Sequence, residues 1–183
     1  MRRHLHRHPE LSQQEYQTME YVAPQLRKLG LEPRTGIGKT GCMAMIRGAH
    51  QPDDYCVALR ADYDALPITE DTGLDFSSEN KGVMHACGHD MHTSSLLGAA
   101  KILTSIREEL YGSVMLIFEP SEEMYPGGAR MMMEDGLFDE VIPNEIYAFH
   151  CMPEMECGRI GMKKGLYWAS TDELYWTVKG KGG

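Results

Sequence analysis

The sequence predicts an α/β domain, a layered fold in which helices pack against a central sheet. Short apolar β-like runs alternate with amphipathic helical stretches, and the polar side chains able to do chemistry fall just past the ends of the apolar runs. A chain of 183 residues, 42% hydrophobic and 25% charged, is long enough to bury one sizeable core.

The first helix is announced by Ser12-Gln13-Gln14-Glu15, which has the form of a capping box. Met19, Val22, Leu26 and Leu29 then follow at helical spacing until Gly30 ends the element. Pro24 lies inside it, removes one backbone hydrogen bond and predicts a kink. Met43 to Ile46 and Cys56 to Leu59 read as strands, the first closed by Gly48 and the second leading into "RADYDALP". Leu96, Leu97, Ala100, Leu103, Ile106 and Leu110 form the apolar stripe of a second helix. Val114 to Phe118 reads as a buried strand running into "EPSEE", and Ile146 to Phe149 as a strand delivering His150. Leu174, Trp176 and Val178 alternate with Tyr175, Thr177 and Lys179 in a last expected strand before "KGKGG".

Charge narrows the function. Eighteen Lys+Arg against 27 Asp+Glu give a formal charge of -9, which repels a phosphate backbone, so nucleic acid is not an expected partner. The basic opening "MRRHLHRHPELS" lacks the apolar stretch of a secretory signal, and no run approaches the length of a membrane span. Five cysteines, odd in number and without a paired framework, fit a reducing compartment, and the expected location is the cytoplasm. No Cys-x-x-Cys pair supports a thiol redox protein.

The stretch "GVMHACGHDMH", residues 82–92, packs His85, Cys87, His89, Asp90 and His92 around Gly88. Imidazole and thiolate are the usual ligands of zinc and its neighbours. Gly88 lets the backbone turn tightly so that Cys87 and His89 both face one ion, the preferred pair. A competing trio of His85, His89 and His92 would share one helical face, but Gly88 weakens a helix there and Asp90 suits the cap of a helix starting just afterwards. A solvated His-rich loop with a buried cysteine is the bland alternative.

Glu122 and Glu123 follow a strand that Pro120 breaks, so one carboxylate can bind metal while the other takes a proton from an attacking water. Taken alone, paired glutamates are solvated surface and a lone His after a strand is structural; their joint occurrence with the cysteine cluster argues for a site. Asp62 and Asp64 stand where carboxylates would orient a ligand histidine or cap a turn.

Taken together, "RRHLHRHPELS", "ALRADYDALP", "HACGHDMHTSSLLGAA", "EPSEE" and "AFH" resemble, in order and spacing, the metal-dependent amidohydrolases of the hippurate hydrolase, indole-3-acetyl-amino-acid hydrolase and N-acetyl-diaminopimelate deacetylase group, related to aminoacylases. The resemblance runs over essentially the whole chain. It implies a two-metal, aminopeptidase-like catalytic domain over residues 1–170, with residues 171–183 as the first strand of a lid and dimerisation domain that continues beyond this chain. It implies hydrolysis of the amide bond of small-molecule N-acyl amino acids, with a homodimer as the full-length form. Carried over residue by residue, it makes Cys87, His89, Glu123 and His150 metal ligands, Glu122 the general base and Asp64 the supporting aspartate, with Asp62 a weaker candidate for that role. Two divalent ions are implied, with zinc, manganese, cobalt and nickel all compatible with mixed N, O and S ligands. It also places a further metal-binding histidine and a lid histidine downstream, so that these 183 residues alone are expected to turn over poorly. A metal-binding fragment without turnover is the alternative.

Overall fold

The structure, a computed structural model, describes residues 1–169, 172 and 174–182. The chain divides into two compact units, Met1–Cys151 and Met152–Gly183. The first unit runs α1 (Arg2–Arg7), α2 (Tyr16–Lys28), β1 (Arg34–Ile37), β2 (Gly41–Arg47), β3 (Cys56–Asp62), α3 (His89–Ser105), a 3-10 turn at Arg107–Glu109, β4 (Ser113–Glu119), α4 (Gly128–Glu134) and β5 (Glu145–Ala148).

The sheet order is β1-β2-β4-β3-β5. The β1–β2 and β2–β4 pairs are antiparallel, whereas β3 lies parallel to both β4 and β5. The register sets Asp62 opposite Glu119 and Arg60 opposite Ala148. The three parallel strands therefore end at one edge of the sheet, where an open α/β sheet gathers its binding groups.

Why β4 reads as an unbroken apolar run is plain from its position. Leu116 and Phe118 pack with Val22 and Leu26 of α2 and Leu96, Leu97 and Ala100 of α3. Met115 and Ile117 face the other way, against Met132 of α4 and Leu137. A central strand buried on both faces has no polar row to show. By contrast, β5 is an edge strand exposed at every residue.

Several sequence expectations change at this level. The capping box does not form: Glu15 sits at the N-cap of α2 but makes no side-chain cap there. Glu10 takes that place, accepting the backbone N–H groups of Gln17 and Thr18 at 3.2 and 2.8 Å, which satisfies two donors that a helix start leaves open. The α2 helix continues through Pro24 to Lys28. Asp90 is no cap either, because α3 begins at His89 behind Gly88, whose φ of 83° favours glycine. The stripe that pointed to a helix as far as Leu110 ends earlier, since Ala49 N–H to the Arg107 carbonyl and Arg107 Nε–H to the Arg47 carbonyl turn the chain toward β4. Elements α1, β1 and α4 carried too few periodic residues to be read in advance.

In the second unit the described residues form turns and irregular chain. The expected strand at 174–178 makes no ladder; Leu174, Trp176 and Val178 are exposed, and alternation becomes a strand only where a neighbour takes up its backbone hydrogen bonds. The boundary expected between residues 170 and 171 falls outside the described residues. No described helix is long and apolar enough to cross a membrane.

Candidate metal centre

Three strand ends and one helix start build the site. Asp62 closes β3, and Asp64 follows two residues later. Leu66 and Met84 then exchange backbone hydrogen bonds at 3.0 Å, which draws the Cys87–Gly88–His89 loop back over these aspartates. Glu122 and Glu123 come from the turn after β4, and His150 from the segment after β5. The loop has no room for a side chain at Gly88, since a β-carbon there would sit 2.3 Å from Cys151 Sγ.

His89 is the centre of this arrangement. It is 1% exposed, and its Nδ1 lies 3.1 Å from Asp64 Oδ1. Its Nε2 is buried without a hydrogen-bond partner and faces Asp62 Oδ2 at 3.7 Å, Glu123 Oε1 at 3.8 Å and Glu122 Oε2 at 3.9 Å. Three carboxylate oxygens gathered around one imidazole nitrogen, none within hydrogen-bond distance of it, concentrate negative charge at one point and suit a cation. On the other side, Cys87 Sγ lies 3.3 Å from His150 Nε2, and His150 Nδ1–H donates to the Cys151 carbonyl at 2.8 Å, which turns Nε2 toward the thiol. Cys87, His89 and His150 present ligand atoms within 4.8 Å of one another, and so do His89, Glu122 and Glu123. The two groups meet at His89.

The electrostatics agree. Burial by itself lowers the proton affinity of His89, but the Asp64 hydrogen bond, the Cys87 thiol and the Asp62 charge outweigh it and push its pKa up to about 11. Without a metal, a proton has to do the cation's work among these carboxylates. Burial first, then the Glu123 charge, push the Glu122 carboxyl upward, the direction that suits a base accepting a proton near neutrality.

Asp64 accepts from three partners: His89 Nδ1–H, Ser12 Oγ–H at 2.7 Å and the Glu123 backbone N–H at 2.9 Å. One carboxylate thus orients one expected ligand and anchors the backbone of another. Burial alone would raise it; the His89 and Ser12 hydrogen bonds reverse that and hold it below the usual range. Asp62 engages other partners. It accepts from His92 Nδ1–H at 2.6 Å and from Arg60 Nη1–H at 2.7 Å, and Arg60 also donates to Glu119 at 2.5 Å.

The histidine trio does not assemble. Both ring nitrogens of His92 are occupied, Nδ1 by Asp62 and Nε2 by the Cys151 N–H at 3.0 Å. His85 is buried beside His6, outside these ligand groups, and burial lowers its pKa to about 4.

Three relations here had no local signature. His92 pairs with Asp62, Glu15 reaches the turn before Glu122, and Asp90 forms an ion pair with Arg2 at 2.6 Å and accepts from His6 Nδ1 at 2.8 Å, tying α1 to the start of α3. Their partners lie 30 to 106 residues apart. The density of charged and imidazole groups in the opening "RRHLHRHPE" was the one visible hint.

Comparison with known proteins agrees with this geometry. The chain is 42% identical over 182 residues to N-acetyl-L-cysteine deacetylase of Bacillus subtilis, covering all of this chain and 42% of that protein. It is 43% identical over 182 residues to N-acyl-L-amino acid amidohydrolase of Geobacillus stearothermophilus, covering 48% of it. The chain thus spans a little under half the length of these relatives. Among solved structures, the YXEP protein of Bacillus subtilis, a dinuclear metal-binding peptidase of the M20 family, superposes with a TM-score of 0.83 at 44% identity, over 90% of this chain and 45% of that one. The family model for peptidase family M20/M25/M40 matches residues 58–178, and the chain belongs to that family.

Proposed function

We propose that this chain forms the metal-binding part of a hydrolase that cleaves the amide bond of N-acyl amino acids. The observation that carries the reading is His89 Nε2, buried without a partner, with Glu122 and Glu123 on one side and the Cys87/His150 pair on the other. The names of the Bacillus and Geobacillus relatives supply the substrate class.

In this reading Cys87, His89, Glu123 and His150 hold two divalent ions, as the dinuclear character of the YXEP protein suggests. When bound, the ions supply Lewis acidity to the scissile carbonyl and to the attacking water. Glu122 takes the proton of that water and returns it to the departing amine, the role its raised proton affinity favours. Asp64 keeps the Nδ1 proton of His89 in place, so that Nε2 is the nitrogen presented to metal. Asp62 holds His92 and Arg60 behind the site. The mixture of thiolate, imidazole and carboxylate suits zinc, manganese, cobalt or nickel. All five cysteines are free, which fits a cytoplasmic setting; in this reading residues 171–183 begin a lid and dimerisation domain.

The test has two arms. Titration with cobalt should produce the absorption of a thiolate-ligated ion at up to two equivalents. The chain joined to the second half of the Geobacillus relative and loaded with metal should release free amine from N-acetyl and N-aroyl amino acids. Cobalt uptake without amine release would favour a metal-binding protein without turnover, and no uptake would overturn the reading.

A further inference from the structure

The turn that presents Glu122 and Glu123 is held in place by a carboxylate from another part of the fold. Ser121 is fully buried with φ at 53°, in the left-handed region that a β-carbon disfavours. Its backbone N–H donates to Glu15 Oε1 at 2.7 Å, and its hydroxyl lies 3.2 Å from the same oxygen. The hydroxyl oxygen also accepts the Gln13 N–H at 2.7 Å, and the Ser121 carbonyl accepts the Gly128 N–H at 3.1 Å. Two residues on, the Glu123 N–H is fixed by Asp64. Glu15 itself is 0% exposed, and its second oxygen takes the Thr40 hydroxyl at 2.6 Å. A glutamate at a helix N-cap ordinarily serves its own helix or faces solvent; this one spends both oxygens elsewhere.

The geometry of the turn needs such a clamp. Consecutive side chains on an extended strand point to opposite faces, so a continuation of β4 would separate Glu122 from Glu123. The left-handed residue breaks that alternation and lets both carboxylates come within 4 Å of His89 Nε2. We propose that Glu15 is a positioning residue of the metal centre, holding Ser121 in the left-handed conformation so that Glu122 and Glu123 converge on one imidazole. The proposal rests on the reading of Glu122 and Glu123 as base and ligand. Glu15 touches neither metal nor substrate and acts through the backbone of residues 121–123.

Cobalt titration, with affinity read by chelator competition and folding by circular dichroism, tests it on the intact chain. Glu15→Ala should weaken cobalt affinity by roughly 10- to 100-fold and change the visible spectrum, the size of effect that groups supporting metal ligands show. Glu15→Gln should stay within about threefold of wild type, since its amide oxygen still accepts the Ser121 N–H and its amide nitrogen meets the Thr40 hydroxyl. Ser121→Gly, which adopts a positive φ without strain, should recover most of the loss when added to Glu15→Ala. Thr40→Val removes the other buried partner of Glu15 and should lower the melting temperature without altering the spectrum. Should Glu15→Ala not fold, Glu15→Asp, one methylene short of Ser121, makes the same comparison. A folded Glu15→Ala or Glu15→Asp protein with the wild-type titration, or no recovery with Ser121→Gly, overturns the proposal. A wild-type protein that takes up no cobalt instead overturns the metal reading, and this proposal with it.

Discussion

Asp64 Oδ1 lies 3.1 Å from His89 Nδ1, and that contact decides which nitrogen of His89 is offered to the site. With Nδ1–H donated to the carboxylate, Nε2 is the nitrogen that faces Glu122, Glu123 and Asp62. A carboxylate behind a ligand histidine fixes its tautomer and raises its basicity. Asp64→Ala should therefore weaken metal binding by roughly 10- to 100-fold while every expected ligand remains present. Chelator competition measures this, and an unchanged dissociation constant would show that Asp64 only packs.

The paired variant Cys87→Ser with His89→Ala removes one candidate ligand on the Cys87/His150 side and the residue that side shares with the Glu122/Glu123 group. Metal content by elemental analysis should fall close to background. Retention of a full complement would mean that other residues hold the ion.

His92 supplies the opposite control. Its ring nitrogens are engaged by Asp62 and the Cys151 N–H, so His92→Ala should leave the metal stoichiometry unchanged. It should cost roughly 1–3 kcal/mol of stability, because a buried carboxylate oxygen and a backbone N–H lose their partner. Urea denaturation alongside elemental analysis separates the two effects. Loss of an ion equivalent from the folded variant would restore His92 as a ligand.

Glu122 and Glu123 should part company in a protein carrying the second half of a relative. Glu122→Gln should keep metal and lose turnover of an N-acyl amino acid by roughly 10²-fold or more, the range for a missing general base. Glu123→Gln should lose metal first. Equal metal loss in both would show the two roles to be assigned wrongly.

The surroundings of Asp62 predict acid sensitivity. Burial would raise the carboxyl of Asp62, but the His92 hydrogen bond and the Arg60 charge bring it from 3.8 down to about 2. A lowered carboxyl contributes stability in full above its unfolded value, and that contribution is lost as pH falls from about 4 toward about 2. The shift corresponds to roughly 2 kcal/mol. Asp62→Asn should remove this component from the pH dependence of the urea midpoint. Parallel wild-type and variant curves between pH 6 and pH 2 would refute it.

By itself the sequence determined the alternation of strands and helices, the burial of the 114–118 run, and the four candidate ligands gathered near the ends of two strands and the start of one helix. These are local properties. Apolar period, strand-breaking Pro120 and the tight turn at Gly88 depend on residues a few positions apart, and the three parallel strands then carry their ends to one edge of the sheet. Only the tertiary structure decided what the polar residues between them do. Ser12 and Glu15 fit a capping box as written, yet Ser12 donates to Asp64 and Glu15 accepts from Ser121, because burying a carboxylate leaves it to the nearest donors in space, wherever they stand in the chain. His92 and Asp62 were likewise ambiguous until β3 and α3 packed side by side and set a ring nitrogen 2.6 Å from a carboxylate oxygen. Hydrogen-bond partners chosen over 30 to 106 residues leave no period in a sequence, so the residues that could hold metal and the aspartates behind them were legible, while the partner of each carboxylate, and the reach of Glu15 to Ser121, were not.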